Sequence, residues 1–184
     1  MAISKNLRNF KSTLTNLTVT PTVFRGHKTL YTFEANMPRL VDTTEMFSGC
    51  VELEKFKGEM GKYDVVASEL KTPGMFSGCT NLKEFICEDL SNLGVADDMF
   101  NNCKNLPNFI REVETTTTPE GSSEPVTTKS IGSLQSLHSA SNMFYGCTSL
   151  GEFKCNLPAL KNGNGMFNGC TALEKFTGDL DVLG

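Results

Sequence analysis

The chain has no tryptophan and only two histidines, His27 and His138, among 184 residues. It also lacks any Cys-x-x-Cys pair. Two scattered imidazoles and no thiol pair leave a zinc site without its usual ligand set. They also leave the serines and threonines without an activating base nearby. No apolar run approaches the ~20 residues that a membrane-crossing helix needs. The opening MAISKNLRNF holds no apolar core segment, so no signal peptide is read there. Basic surplus is missing too: 17 Lys and Arg stand against 21 Asp and Glu, for a net charge of -4 and a pI near 5.3. That balance argues against general nucleic-acid binding, which neutralises phosphates with Lys and Arg. The carboxylate pairs Asp97/Asp98 and Glu88/Asp89 have neither a His partner nor a Gly-rich phosphate loop, and suit charges at the starts of helices or turns. No residue pattern asks for a cofactor, and the expectation is a protein that is not an enzyme.

What the chain does have is repetition. Leu and Phe recur three residues apart at Leu7/Phe10, Leu30/Phe33, Leu53/Phe56, Leu82/Phe85, Leu106/Phe109, Leu150/Phe153 and Leu173/Phe176. Successive Phe residues are separated by 23, 23, 29, 24, 44 and 23 positions. A period in the twenties indicates a solenoid, in which each unit touches only its neighbours. One domain, 1–184, of about seven units is therefore expected, the first of them partial.

Each full unit carries two short elements. Leu-x-x-Phe followed by a small residue two positions on reads as a short strand, with Phe and the small residue on one face. That small slot holds Ser12, Ala35, Gly58, Cys87, Cys155 and Gly178, with Arg111 as the exception. A second apolar pair follows (Leu14/Leu17, Met37/Leu40, Leu90/Leu93, Leu157/Leu160, Leu180/Leu183) and leads to the next Met-Phe. Its three- and four-residue spacing predicts a short helical return. The glycine after Met-Phe-x fits a left-handed residue closing that return. No unit buries enough apolar surface to fold alone, so stacking is obligatory. The fold class expected is an α/β solenoid, a right-handed coil with a short-stranded parallel sheet on one face and short helices and turns on the other.

Seven cysteines would suggest disulfides in a small secreted protein. Here Cys50, Cys79, Cys103, Cys147 and Cys170 take one slot of five units, and Cys87 and Cys155 share another. One slot per unit predicts a column of small buried free thiols. His27 holds that slot in an earlier unit and reads as a core variant.

The best-formed units are MFSGCTNLKEF at 75–85 and MFNGCTALEKF at 166–176. This Phe-x-Gly-Cys-x-x-Leu-x-x-Phe phrase resembles the BspA-like leucine-rich repeat family of bacterial surface proteins. The resemblance covers nearly the whole chain. It implies a curved leucine-rich repeat solenoid used for adhesion or protein binding, and it implies no catalytic residues. The departures are His27 and Ser4 in the Cys slot, Asn102 in the Gly slot, and two insertions.

Those insertions lie near 61–73 and 114–133. The second, rich in Thr, Ser, Pro and Glu, is expected to be a mobile surface loop. The units at both ends read as uncapped, so a neighbouring domain, another subunit or end-to-end self-association is expected to cover them.

On the sheet, residues flanking each Phe should face outward. The candidate partner-binding set is Lys55, Lys57, Glu84, Ile86, Asn108, Ile110, Glu152 and Lys154, with Ile86 and Ile110 as a small apolar centre inside a charged rim. Two functions are carried forward. The first is a binding or adhesion module that contacts protein or a cell-surface glycan. The alternative is a structural component, such as a phage fibre or decoration protein or a surface spacer. Bacterial cell surface, extracellular space and virion all fit, and no membrane insertion is expected.

Overall fold

The computed structural model describes residues 4–20, 22–61, 69–121 and 123–179. The expected pair Leu180/Leu183 and most of the first insertion lie outside the described residues.

Successive coils place one short strand each on a common side. These are β1 (Asn9–Thr13), β2 (Thr32–Met37), β3 (Lys55–Met60), β5 (Glu84–Ile86), β7 (Asn108–Ile110), β10 (Glu152–Lys154) and β11 (Lys175–Thr177). A second side carries β4 (Leu70–Lys71) and β6 (Leu93–Val95), continued by parallel bridges such as Val19 to Asp42 and Ser139 to Asn162. All pairing between coils is parallel, and the register sets Phe on Phe: Phe10, Phe33, Phe56 and Phe85 in one run, Phe109, Phe153 and Phe176 in the other. The inner row expected from the Leu-x-x-Phe phrase is therefore present.

A second row runs beside it. Phe24, Phe47, Phe76, Phe100, Phe144 and Phe167 stack coil on coil at 5.3 to 5.7 Å between ring centroids. Rings of the two rows meet mostly edge to face, as Phe33 meets Phe47 at 4.7 Å and 69°. All 13 phenylalanines of the chain belong to this double column. Stacked within a row and edge-on between rows are the two arrangements that ring quadrupoles favour.

The short helices expected in the return do not form, and no helix occurs among the described residues. The Met-Phe segment is a run of tight turns instead. Met46, Ser48 and Cys50 donate their N–H groups three residues back, to Thr43, Glu45 and Phe47. The alternate groups of Glu45, Phe47 and Gly49 donate to Pro73, Met75 and Ser77 of the next coil at 2.7 to 2.9 Å. A helix would keep all of these bonds inside one segment. Here half of them go into stacking, which left-handed residues four apart make possible: Glu45 and Gly49 (φ 53° and 72°), Gly74 and Gly78, Asn142 and Gly146. The glycine after Met-Phe-x is left-handed as expected, at Gly49, Gly78, Gly146 and Gly169 alike, and Asn102 adopts φ 58° in the same slot. The fold is thus a solenoid of parallel strands and turns.

The second insertion, expected as a mobile surface loop, has regular secondary structure. It forms an antiparallel hairpin of β8 (Glu112–Thr117) and β9 (Val126–Ile131). Runs of β-branched Thr and Val favour extended pairing, and Thr116 and Thr127 hydroxyls meet at 2.9 Å across it. Gly132 donates to the Arg111 carbonyl at 2.8 Å, closing the hairpin base so that the coil resumes where it left off.

All seven cysteines are free, six of them buried and Cys170 half-buried.

One departure bears on function. The sheet is not continuous: β1-β2-β3-β5 form one sheet and β7-β10-β11 another, with no ladder between β5 and β7. In the coils on either side, one slot donates its N–H to the same slot one coil earlier, as Glu54 does to Tyr31 and Lys83 to Glu54. At the break that slot holds Pro107, which has no N–H to give to Lys83.

Candidate functional site

Because side chains alternate across a strand, the residues either side of each buried Phe point to the outer face. The expected site residues lie there in pairs fixed by register: Lys55 beside Glu84, Lys57 beside Ile86, Asn108 beside Glu152 and Ile110 beside Lys154. Lys55 and Glu84 form an ion pair at 2.7 Å. Lys11 and Glu34 form another at 3.0 Å, and this lysine holds the Glu34 carboxyl below its usual range. Ile110 is 41% exposed, and Ile86 is half-buried.

Among the described residues, hollows furrow this face. One of about 400 Å³ crosses β1, β2 and β3 to Ile86 and Glu88, with Lys57, Glu34 and Glu59 among its lining residues. A second, about 340 Å³, lies at the break between β5 and β7 and is lined by Glu84, Ile86, Pro107, Asn108, Ile110 and Arg111. A third, about 200 Å³, includes Lys55 and Lys57. Six of the eight expected residues thus line hollows, and Ile86 belongs to two of them. Glu152 and Lys154 line none of the three. Lys154 is drawn away to Glu112 of the hairpin, at 2.6 Å, and lowers that carboxyl's pKa.

Sequence reasoning missed two contributors. Arg111 sits in the slot that is otherwise small, and its guanidinium reaches back one coil to the carbonyls of Cys87 and Glu88. The signal was its departure from the small-residue column. The other is a polar cluster around Tyr31, whose hydroxyl donates to Glu54 at 2.8 Å while Lys83 pairs with the same carboxylate at 3.1 Å and Arg8 lies over the ring. The hydrogen bond to Glu54 raises the phenol's pKa, and the Tyr31 and Lys83 contacts lower that of Glu54. Its members come from four coils, so no local phrase marks it.

The side chains flanking each strand Phe on this face are lysine, glutamate, asparagine, threonine and isoleucine. The thiols face inward, and burial pushes Cys50 up to about 11 and Cys147 to about 12, far from a nucleophilic thiolate. His27 engages backbone, through the Ser4 carbonyl at 2.9 Å and the Leu30 N–H at 3.1 Å. Among the described residues no group of three or more His, Cys, Asp or Glu could hold a metal ion, and no helix is long and apolar enough to cross a membrane.

The BspA type leucine rich repeat region matches residues 3–110 and 72–182, in six copies. The chain belongs to the BspA-type leucine-rich repeat family. A solved leucine-rich repeat protein from Bacteroides ovatus superposes with a TM-score of 0.59 at 20% identity, over 92% of this chain. That likeness shows the shared fold, and the chain spans 37% of the length of that protein. No curated protein matches the chain. The family is one of binding modules in general, and in this chain the residues flanking each strand Phe differ from one repeat to the next.

Proposed function

We propose that this BspA-type repeat array is a non-enzymatic adhesion or binding module that contacts a protein through its outer sheet face. The observation that carries the reading is the Ile86–Ile110 pair. Two apolar side chains flank a hollow of about 340 Å³ in the middle of the array, within a face otherwise occupied by lysine, glutamate, asparagine and threonine. An apolar centre inside a charged rim is the anatomy of protein interfaces. A cell-surface glycan is the other candidate ligand, but the apolar centre at this hollow is isoleucine, where a sugar-stacking site would offer aromatic rings. Surface display would suit such a module.

Ile86→Asp/Ile110→Asp tests the reading. Cell-surface extracts separated into protein and glycan pools are passed over immobilised wild type and over the double variant, with Lys161→Asp as a control on another side of the coil. Retention of specific proteins by wild type and control, lost in the double variant with an unchanged circular dichroism spectrum, is expected. Equal retention by all three removes the sheet face as the site, and retention from the glycan pool alone replaces the protein partner with a sugar.

A further inference from the structure

We propose that the solenoid contains a hinge between β5 and β7, about which the coils before and after it move as two blocks. The inference stands whether or not the sheet face is the binding face.

Five features meet at this one step. The backbone ladder that joins neighbouring strands on both sides is missing. The slot N–H that crosses every other step from Arg8 to Glu174 is absent at Pro107, although Tyr31 to Arg8 (2.6 Å), Lys83 to Glu54 (2.9 Å), Gly151 to Pro107 (2.9 Å) and Glu174 to Gly151 (3.1 Å) all have it. The inner ring step is the widest of its row, 6.4 Å from Phe85 to Phe109 against 4.8 to 5.8 Å elsewhere. Phe85 is only partly buried, while Phe33, Phe56 and Phe153 are completely so. A hollow of about 340 Å³ opens where the rung should be.

The opposite side of the same step is closed. Gly74, Phe76 and Gly78 donate to Asp97, Met99 and Asn101 at 2.7 to 2.8 Å, and the Cys103 thiol reaches the Phe76 carbonyl at 3.1 Å. One edge is thus stitched as far as Asn105, whose N–H donates to the Thr80 carbonyl at 3.2 Å, and the strand edge beyond it has no ladder, which is the geometry of a door. The Arg111 guanidinium, donating to the Cys87 and Glu88 carbonyls, is a side-chain strap across the free edge. It takes the place of a backbone ladder with two charge-assisted bonds on a long, exchangeable arm. The slot does not admit another strand, which would need a further ~4.8 Å of separation. Motion is therefore an opening and closing of this rung, and it changes the spacing between Ile86 on one block and Ile110 on the other.

Pulsed electron paramagnetic resonance tests the hinge. Nitroxides are carried on a ketone-bearing amino acid, which spares the seven native thiols. One pair, at Asn9 and Glu84, spans three strand steps within the first block. The other, at Thr32 and Asn108, spans three steps across the break. The expected result is a distance distribution at least twice as wide for Thr32/Asn108, widened further by Arg111→Met and narrowed by Pro107→Ala, which restores the missing donor. Equal widths for the two pairs in the otherwise wild-type chain would overturn the proposal, whatever the two added substitutions do.

Discussion

The thiol of Cys103 donates to the carbonyl oxygen of Phe76, 3.1 Å away and one coil back. Cys50 does the same to Phe24, Cys79 to Phe47, Cys147 to Phe100 and Cys170 to Phe144. Cysteine recurs in this slot because it is small enough to stack on itself and still offers a donor to a buried carbonyl. Cys103→Ala leaves that carbonyl with the Cys79 N–H alone, 2.9 Å away, beside a small void, and is expected to cost about 0.5–1.5 kcal/mol, the worth of one hydrogen bond. Cys103→Ser keeps a donor and should cost less. Urea denaturation of the two variants reads the difference, and an alanine no worse than serine would show that the bond contributes little.

The same thiols set an alkaline limit. Burial raises Cys50 and Cys155 to about 11 and Cys87 and Cys147 to about 12, against 9.0 for an exposed thiol. The unfolded chain therefore loses these protons first as pH rises. The folded state holds more protons in that window, so stability falls with pH. Full stability is expected below about pH 9, with a decline between 9 and about 12 that is steepest where several thiols are ionised only in the unfolded chain. Melting temperature measured from pH 7 to 11 checks the sign. A variant with Cys87 and Cys155 both replaced by alanine should show a shallower decline.

The Phe column carries the third prediction. Phe56 is fully buried, stacked on Phe33 at 5.6 Å and Phe85 at 5.5 Å, and edge-on to Phe47 and Phe76. Phe56→Ala is expected to cost about 3–5 kcal/mol. Phe176 is 43% exposed, and Phe176→Ala should cost less than half as much. Chemical denaturation ranks the two, and similar losses would mean that the column does not transmit stability by mutual burial.

How much of this could be read beforehand follows the range of the signal. The Phe row, the thiol column and the left-handed glycines were legible because each is one residue type at one repeat position, and stacking turns sequence period directly into space. The helical return was misread because Met46, Phe47 and Cys50 face inward at spacings that a helix would also produce. What distinguishes a turn ladder is the destination of the N–H groups of Glu45, Phe47 and Gly49, and those bonds go to another coil. The outward placement of Lys57, Ile86 and Ile110 follows from strand alternation alone. The hollow beside Ile86 does not, since it depends on a donor missing at Pro107 and on an arginine reaching back from Arg111. Glu152 and Lys154 were grouped with the site by register, but the hairpin's Glu112 claims Lys154, a contact that composition of the insertion could not reveal.

Backbone handedness gives the fourth prediction. At Gly49, φ is 72°, and an added Cβ would lie 3.7 Å from the nearest atom, the Cα of Gly26. Space is not limiting, so Gly49→Ala should cost only the left-handed penalty, about 1–2 kcal/mol. Asn102 occupies the equivalent position at φ 58°, so Gly49→Asn is expected to be milder than Gly49→Ala. Thermal denaturation of both variants tests the order; the reverse ranking would point to crowding rather than conformation.

The hairpin should be dispensable for folding. Every residue of β8 is exposed, as are those of β9 apart from the half-buried Ile131, so little apolar burial ties them to the coil. Arg111 and Gly132 already meet through a 2.8 Å backbone bond at the base. Replacing residues 113–130 with a two-residue Asn-Gly turn retains Glu112 and its pair with Lys154, and is expected to change unfolding free energy by no more than about 1 kcal/mol, the worth of an exposed ion pair or less. A larger loss would mean that the hairpin braces the coils on either side of the Pro107 break. That outcome would show up in the same variant as a broader distance distribution between labels at Thr32 and Asn108, which an inert appendage would leave unaltered.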